Sequence, residues 1–243
     1  GDFVLFYAEG PDDFEYDGTR DIFSYENNLF SDVNYYFLTI GTDAGKRISG
    51  RQSISGNFPV ITSFNDFAFY ENDQYNIERS GREWFGEKFG TVNSHTVSFN
   101  IAGIQSDSPI KIVSRVMGQS YTEASFRLYI NNVSIADQKI SPIPNARYSV
   151  KGFQRADTII VNATDVNAVN RSSHDIKYEF LKGTGFSQGF LDFILLNVTR
   201  DLALYGDQTT FVSGESLAQP VSTFSIDGVA DGVKIWNVTD HYQ

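Results

Sequence analysis

The chain has 243 residues, of which 41% are apolar and 15% aromatic, and its formal net charge at neutral pH is −11. This length supports one large or two small domains around a packed core, and the apolar content excludes a disordered chain. The acidic balance repels phosphate backbones and provides no basic patch for anionic lipid, which argues against nucleic-acid and membrane-surface binding.

The chain opens on Gly1-Asp2, then runs through apolar residues from Phe3 to Ala8. Such a run reads as a strand covered on both faces. A lone glycine ahead of a strand reads as a cloning scar, and no signal peptide precedes Phe3, so the expectation is a piece of a longer protein. Asp17-Gly18 and Asp43-Ala44-Gly45 tolerate the backbone of tight turns. Tyr35 to Leu38 is a second apolar run of the doubly covered kind. Phe64 to Ile77 is ambiguous in period and admits a short helix.

Beyond a soft boundary near Glu87-Lys88-Phe89-Gly90, strict alternation sets in. Val97, Phe99 and Ile101 alternate with polar residues, as do Phe126, Leu128 and Ile130, and then Ile176, Tyr178 and Phe180. This is the pattern of strands with one buried face. Asn131-Asn132 marks a turn, Phe193 to Leu196 reads as another doubly covered strand, and Phe224, Ile226, Val233 and Ile235 repeat the alternation around Asp231-Gly232. The 21 Phe and 13 Tyr suit pleated surfaces. The expected fold is all-β, a β-sandwich or jelly roll with flanking β-hairpin segments. It divides into an N-terminal β segment (1–88), a jelly-roll sandwich (89–204) and a C-terminal β extension (205–243). No run approaches the roughly 18 apolar residues of a membrane helix.

Catalytic chemistry finds little support. With no cysteine, a disulfide framework, a thiolate metal site and a cysteine nucleophile are impossible within these residues. His95, His174 and His241 have no partners at metal-ligand spacing and read as surface histidines. Gly214-Glu215-Ser216-Leu217-Ala218 lacks the closing glycine of a nucleophile elbow. Gly183 to Gly189 has the wrong spacing for a dinucleotide loop and precedes a strand, so it reads as a glycine-rich turn. Asp12, Asp13, Glu15 and Asp17 lack calcium-loop spacing and read as a solvated acidic loop. Glu83 and Glu87 are near in sequence, but nothing makes them converge as a glycosidase pair. The sequence gives no reason to expect a cofactor or a metal. Five N-x-S/T sequons start at Asn132, Asn162, Asn170, Asn197 and Asn237.

The most distinctive string is Ser80-Gly81-Arg82-Glu83-Trp84-Phe85-Gly86-Glu87-Lys88-Phe89. Trp84 and Phe85 are suited to anchor a corner of the fold, with Arg82 paired to a buried carboxylate or stacked on a ring. The functional alternative is a recognition surface for sugar or protein, on which Trp84 or the Tyr35-Tyr36 pair stacks. The structural reading is preferred.

This string, with Glu71 and Asn76 ahead of it, resembles the region preceding the protease domain in PorU-type sortases of the type IX secretion system, which are gingipain-related cysteine peptidases. Asp2 to Pro11 resembles the family's strand leading into a Gly-Pro turn, Asn34 to Leu38 its aromatic strand, and Gly189 to Ile194 its jelly-roll closing strand. Ile235-Trp236-Asn237-Val238-Thr239-Asp240 resembles the W-D-V-T-D string before the protease domain, with Asn237 in place of Asp. The resemblance implies a galactose-binding-like jelly roll, a downstream caspase-like domain holding the catalytic Cys and His, and a place on the outer-membrane surface. It also implies removal of C-terminal sorting domains from cargo by the parent protein, and outer-membrane secretion partners. No catalytic residue carries over to this chain, which therefore reads as a non-catalytic structural and interaction module. A lipopolysaccharide- or glycan-binding module is the alternative.

Overall fold

A computed structural model describes residues 4–43, 45, 47–79 and 81–239. In chain order the strands are β1 (Asp13–Asp17), β2 (Ile22–Glu26), β3 (Val60–Ile61), β4 (Ser63–Glu71), β5 (Lys88–Phe89), β6 (Ser94–Asn100) and β7 (Pro109–Ser120). They continue with β8 (Ala124–Ile130), β9 (Val133–Ile140), β10 (Phe153–Asn162), β11 (Ser173–Leu181), β12 (Ser187–Asp201) and β13 (Thr223–Phe224). One 3-10 turn, Glu215–Ala218, lies between the last two. Two antiparallel sheets face each other. One has the order β10-β7-β12-β4, with β5 also on β12, and the other has β6-β11-β8-β9. The fold is an all-β sandwich. β4 and β5 both belong to this sandwich, each pairing with β12.

Alternation explains which face of each strand is buried. Ala124, Phe126, Leu128 and Ile130 of β8 point inward, as do Ile176, Tyr178 and Phe180 of β11 and Val97 and Phe99 of β6. Facing them are Ile110, Ile112 and Val116 of β7 and Leu191, Ile194, Leu196 and Val198 of β12. Burying side chains of this size stabilises by about 1.5–3 kcal/mol each before conformational entropy is counted. Asn131 and Asn132 close the β8–β9 hairpin with φ of 49° and 70°, the left-handed pair that an asparagine turn accommodates. Gly189 is a close-approach position, since a Cβ there would lie 2.5 Å from Phe126 Cζ.

A polar chain crosses this core. Tyr178 is fully buried and its hydroxyl donates to Ser114 Oγ (2.7 Å), which donates to Gln138 Oε1 (2.7 Å). Gln138 Nε2 in turn donates to Ser114 O and to Asp157 Oδ2, each at 3.2 Å. Tyr178→Phe is expected to lower the unfolding free energy by about 1–2 kcal/mol, because the hydroxyl's bond is lost where no water replaces it. Denaturant unfolding with an unchanged m-value checks this; an unaltered midpoint refutes it.

The outer face of the five-stranded sheet is not left to solvent. The β1–β2 hairpin lies on it, stacking Phe14 on Phe67 and packing Phe23 on Phe67 at a tilt (both 4.6 Å between centroids) and Tyr25 on Phe69, also tilted (4.2 Å). Asn197, buried on β12, accepts the Phe23 backbone N–H at 2.7 Å. Lys111 Nζ closes the far end by donating to Asp21 O (2.8 Å) and Asp21 Oδ2 (2.7 Å). The hairpin covering corrects one expectation. Phe64 to Glu71 is strand rather than a short helix, and its period is blurred because both faces meet aromatic partners.

Three further expectations are corrected. Val4 to Phe6 and Tyr35 to Leu38 are neither strands nor doubly covered: Phe6 is 60% and Phe37 91% exposed. An apolar run becomes a strand only where a ladder partner exists, and neither segment has one among the described residues. The two meet each other instead, with Tyr36 OH donating to Glu9 O at 3.0 Å. Val233 and Ile235 are likewise exposed and outside any strand. His174 is not a surface residue. It is fully buried, with Nε2 donating to Ile101 O (3.0 Å) and Nδ1 facing Asn131 Nδ2 (3.4 Å), and burial lowers its pKa. His241 lies outside the described residues.

Candidate functional site

The string around Trp84 crosses the same outer face beside the hairpin. Phe85 is fully buried against Met117 and Phe190, with Tyr75 and Ile77 packed alongside. Its backbone pairs with Tyr75 in both directions (2.8 and 3.0 Å), and the next N–H, of Gly86, donates to Leu191 O (2.7 Å). Gly86 tolerates no side chain, because a Cβ would sit 2.6 Å from Asn72 O. Phe85 thus pins the string to the sheet, while Arg82 and Trp84 remain at the edge of an open cleft.

The cleft encloses about 580 Å³. One wall is the exit of the hairpin, from Tyr25 to Leu29, and the other is the segment from Glu71 to Trp84. Arg115 of β7 and Asp192 and Phe193 of β12 form the floor. A β-bulge builds that floor. Leu191 pairs with Val116 and Phe193 with Arg115, so Asp192 is the extra residue between them. Bulges re-aim a side chain out of the regular alternation. Here the bulge turns a carboxylate out of an otherwise apolar strand.

Arg115 is the central cation. It donates to Glu83 Oε1 (2.9 Å) and to Gln154 Oε1, and Nη1 lies 3.1 Å from Asp192 Oδ2. Gln154 Nε2 also donates to Glu83 Oε2 (2.6 Å). Burial acts to raise Glu83's pKa, but the bonds from Gln154 and Arg115 outweigh it and hold the carboxyl below its ordinary value. Asp192 is compensated only in part, by its ion pair with Arg115. Its side chain is only 7% exposed, and Oδ2 accepts no hydrogen bond. Burial pushes its pKa up to about 7, with Glu71, Asp73 and Glu83 adding repulsion that Arg115 only partly offsets. Glu71 and Asp73 are raised as well, chiefly by burial, although Glu71 accepts a hydrogen bond from Tyr25 OH. Carboxyls perturbed together in a cleft mark a functional-site candidate.

Among the residues singled out from sequence, Arg82 and Trp84 line the cleft, and Trp84 is 40% exposed. Phe85 lies beneath it. Tyr35 and Tyr36 are exposed but are not part of its lining. Glu87 does not join Glu83 there; it accepts from Tyr70 OH and from Asn72 Nδ2 (3.2 Å). Sequence reasoning passed over Asp192, Arg115 and Tyr25, and named Glu71 only as part of the string that carries the resemblance. One signal was available for Asp192, a carboxylate interrupting the apolar run from Phe190 to Leu196. Among the described residues no group of three or more His, Asp or Glu is arranged to hold a metal ion. No helix there is long and apolar enough to cross a membrane.

The architecture defines the class first: an antiparallel β-sandwich with an aromatic hairpin laid over one sheet. The chain is similar to the crystal structure of dimeric latent PorU from Porphyromonas gingivalis, with a TM-score of 0.65 and 18% identity over 93% of this chain and 21% of that one. The two share a fold, and this chain spans about a fifth of the length of that protein. Weaker likenesses reach a carbohydrate-binding module, CBM36, solved with calcium and xylotriose (TM-score 0.34, 16% identity, 56% of this chain and 99% of that one). A CBM36 domain of a xylanase from the hindgut metagenome of Trinervitermes trinervoides scores the same, at 12% identity over 54% of this chain and 95% of that one. Scores this low carry no argument. No protein-family model matches the chain, and no curated protein matches it in sequence.

Proposed function

We propose that this chain is a non-catalytic structural and interaction module of a type IX secretion sortase-like cysteine peptidase, a parent enzyme that trims C-terminal sorting domains from cargo at the cell surface. The observation that carries the reading is the fold shared with PorU along 93% of the chain. The ordered strings from Glu9-Gly10-Pro11 to Ile235-Trp236 support it. The module's partners are then a caspase-like protease domain of the same polypeptide, cargo sorting domains and outer-membrane secretion proteins. In a pull-down against cargo ending in a sorting domain, and against such a protease domain, the chain is expected to retain at least one and to leave the cargo uncut. Release of the sorting domain, or retention of neither, overturns the reading.

Carbohydrate binding is the second reading, favoured by the exposure of Trp84 at a cleft that also holds Tyr25 and Phe193. Exposed rings at a concave polar site suit stacking on a sugar face. Titration of the chain with lipopolysaccharide core oligosaccharides is expected to saturate and to be abolished by Trp84→Ala. A flat titration removes this reading.

A further inference from the structure

We propose that the cleft between the hairpin and the Trp84 string is a receptor for a basic side chain, lysine or arginine, presented by an extended segment of another polypeptide. This goes beyond the module reading and rests on the cleft alone. Three features of the site converge on such a ligand. Its walls and floor carry Glu71, Asp73, Glu78 and Asp192. Two cations line it, Arg82 at the edge and Arg115 in the floor, against the carboxylates of Glu26, Glu71, Asp73, Glu78, Glu83 and Asp192, so negative charge is in excess. The decisive feature is Asp192, a nearly buried carboxylate whose Oδ2 is ion-paired with Arg115 at 3.1 Å but receives no well-aligned hydrogen bond. A carboxylate oxygen accepts from more than one donor, so a donor entering the cleft adds a charge-assisted bond that Arg115 does not make.

The rings decide between kinds of cation. A small hydrated ion gains nothing from Tyr25, Trp84 and Phe193, whereas the alkyl stem of lysine or arginine packs along such surfaces while its head reaches a carboxylate. The volume of about 580 Å³ exceeds one side chain and leaves room for flanking backbone. The cleft is open to solvent, and its two walls come from different parts of the chain, which admits an extended segment lying between them.

The probe is an acetylated and amidated Gly-Arg-Gly peptide, compared with its citrulline analogue, which keeps the shape and loses the charge. Binding is read by isothermal titration at pH 8 and low salt. The arginine peptide is expected to saturate, and the citrulline peptide to bind at least about tenfold more weakly, as befits one lost charge-assisted bond. Asp192→Asn is expected to lose at least about tenfold, and so is the double change Asp73→Asn with Glu78→Gln at two positions more open to solvent than Asp192, with the far-UV circular dichroism spectrum expected to stay that of the parent. Glu215→Gln, on the exposed 3-10 turn, is the control and is expected to change nothing. Equal binding of the two peptides overturns the proposal, and so does unchanged affinity in both cleft variants. Spermidine binding as tightly as the peptide overturns the polypeptide assignment. Oligosaccharide binding that Trp84→Ala abolishes, with no response to the arginine peptide, overturns the proposal in favour of the sugar reading.

Discussion

Phe126→Ala is expected to reduce the unfolding free energy by about 3–5 kcal/mol, a large part of the 5–15 kcal/mol typical of a whole domain. Phe126 is fully buried at the centre of the sandwich. Its ring meets Phe89 edge-on at 5.2 Å and Phe180 at 4.8 Å, and it lies over the bare backbone of Gly189. Truncation removes the transfer energy of the ring and also leaves a cavity, because the two sheets are held at a fixed spacing by their other residues and cannot close over it. The neighbouring glycine gives a sharper test. Gly189→Ala alone is expected to destabilise by about 1–3 kcal/mol through overpacking against that ring and against Phe180, whose Cδ2 would lie 2.9 Å from the new methyl. In the Phe126→Ala background the closest clash is gone and Phe180 has room to shift, so the second loss should shrink. A double-mutant cycle by denaturant unfolding reads this coupling directly. Additive losses would show that the two residues do not compete for one space.

The second large effect runs the other way. Asp192→Asn is expected to stabilise the protein at pH 8 by about 2–4 kcal/mol, the scale of a carboxyl pKa raised by roughly three units. In the folded chain burial pushes this group up to about 7, whereas in the unfolded chain it titrates near the ordinary value of about 4. Between these two values the native state keeps a proton that the unfolded state has released. Stability from this group therefore falls as pH rises through that window and is fully present below it. The variant's advantage should shrink from pH 8 towards pH 4 and disappear there. Thermal unfolding of both proteins across that range is the measurement, and a pH-independent difference would mean that Asp192 titrates normally. The same variant is the one expected to lose the basic ligand, so a more stable protein that no longer binds separates the two roles.

The sandwich was legible where one face of a strand is buried and the other wet. The alternation at Val97, Phe126 and Ile176 leads straight to β6, β8 and β11. It was less legible where strands are covered twice. Phe193 to Leu196 and Tyr35 to Leu38 look alike in composition, yet the first lies within the ladder between β7 and β4 and the second has no strand partner among the described residues. Apolar content reports a wish for burial, and only the rest of the chain supplies the partner. The aromatics of β4 misled for the related reason that the hairpin covers their outer side. At the cleft, Arg82 and Trp84 stood out as an unusual string, but the carboxylate they overlook came from a bulge. A bulge is set by the register of two strands, so the acidic interruption of the run at Asp192 was visible in the sequence but the direction it points was not.

The seating of the hairpin also bears on how the protein is made. Asn197 is the head of a sequon, and its side chain is buried beneath the hairpin, where Oδ1 accepts the Phe23 amide. A host that glycosylates secreted chains meets this asparagine while it is still unfolded and accessible. An attached glycan is far too bulky for the space under β2, so the modified chain would be left with the hairpin unseated and Phe14, Phe23 and Phe67 bare. Production in a non-glycosylating bacterium avoids this fate. In a secretory eukaryotic host Thr199→Ala cancels the signal while leaving Asn197 in place.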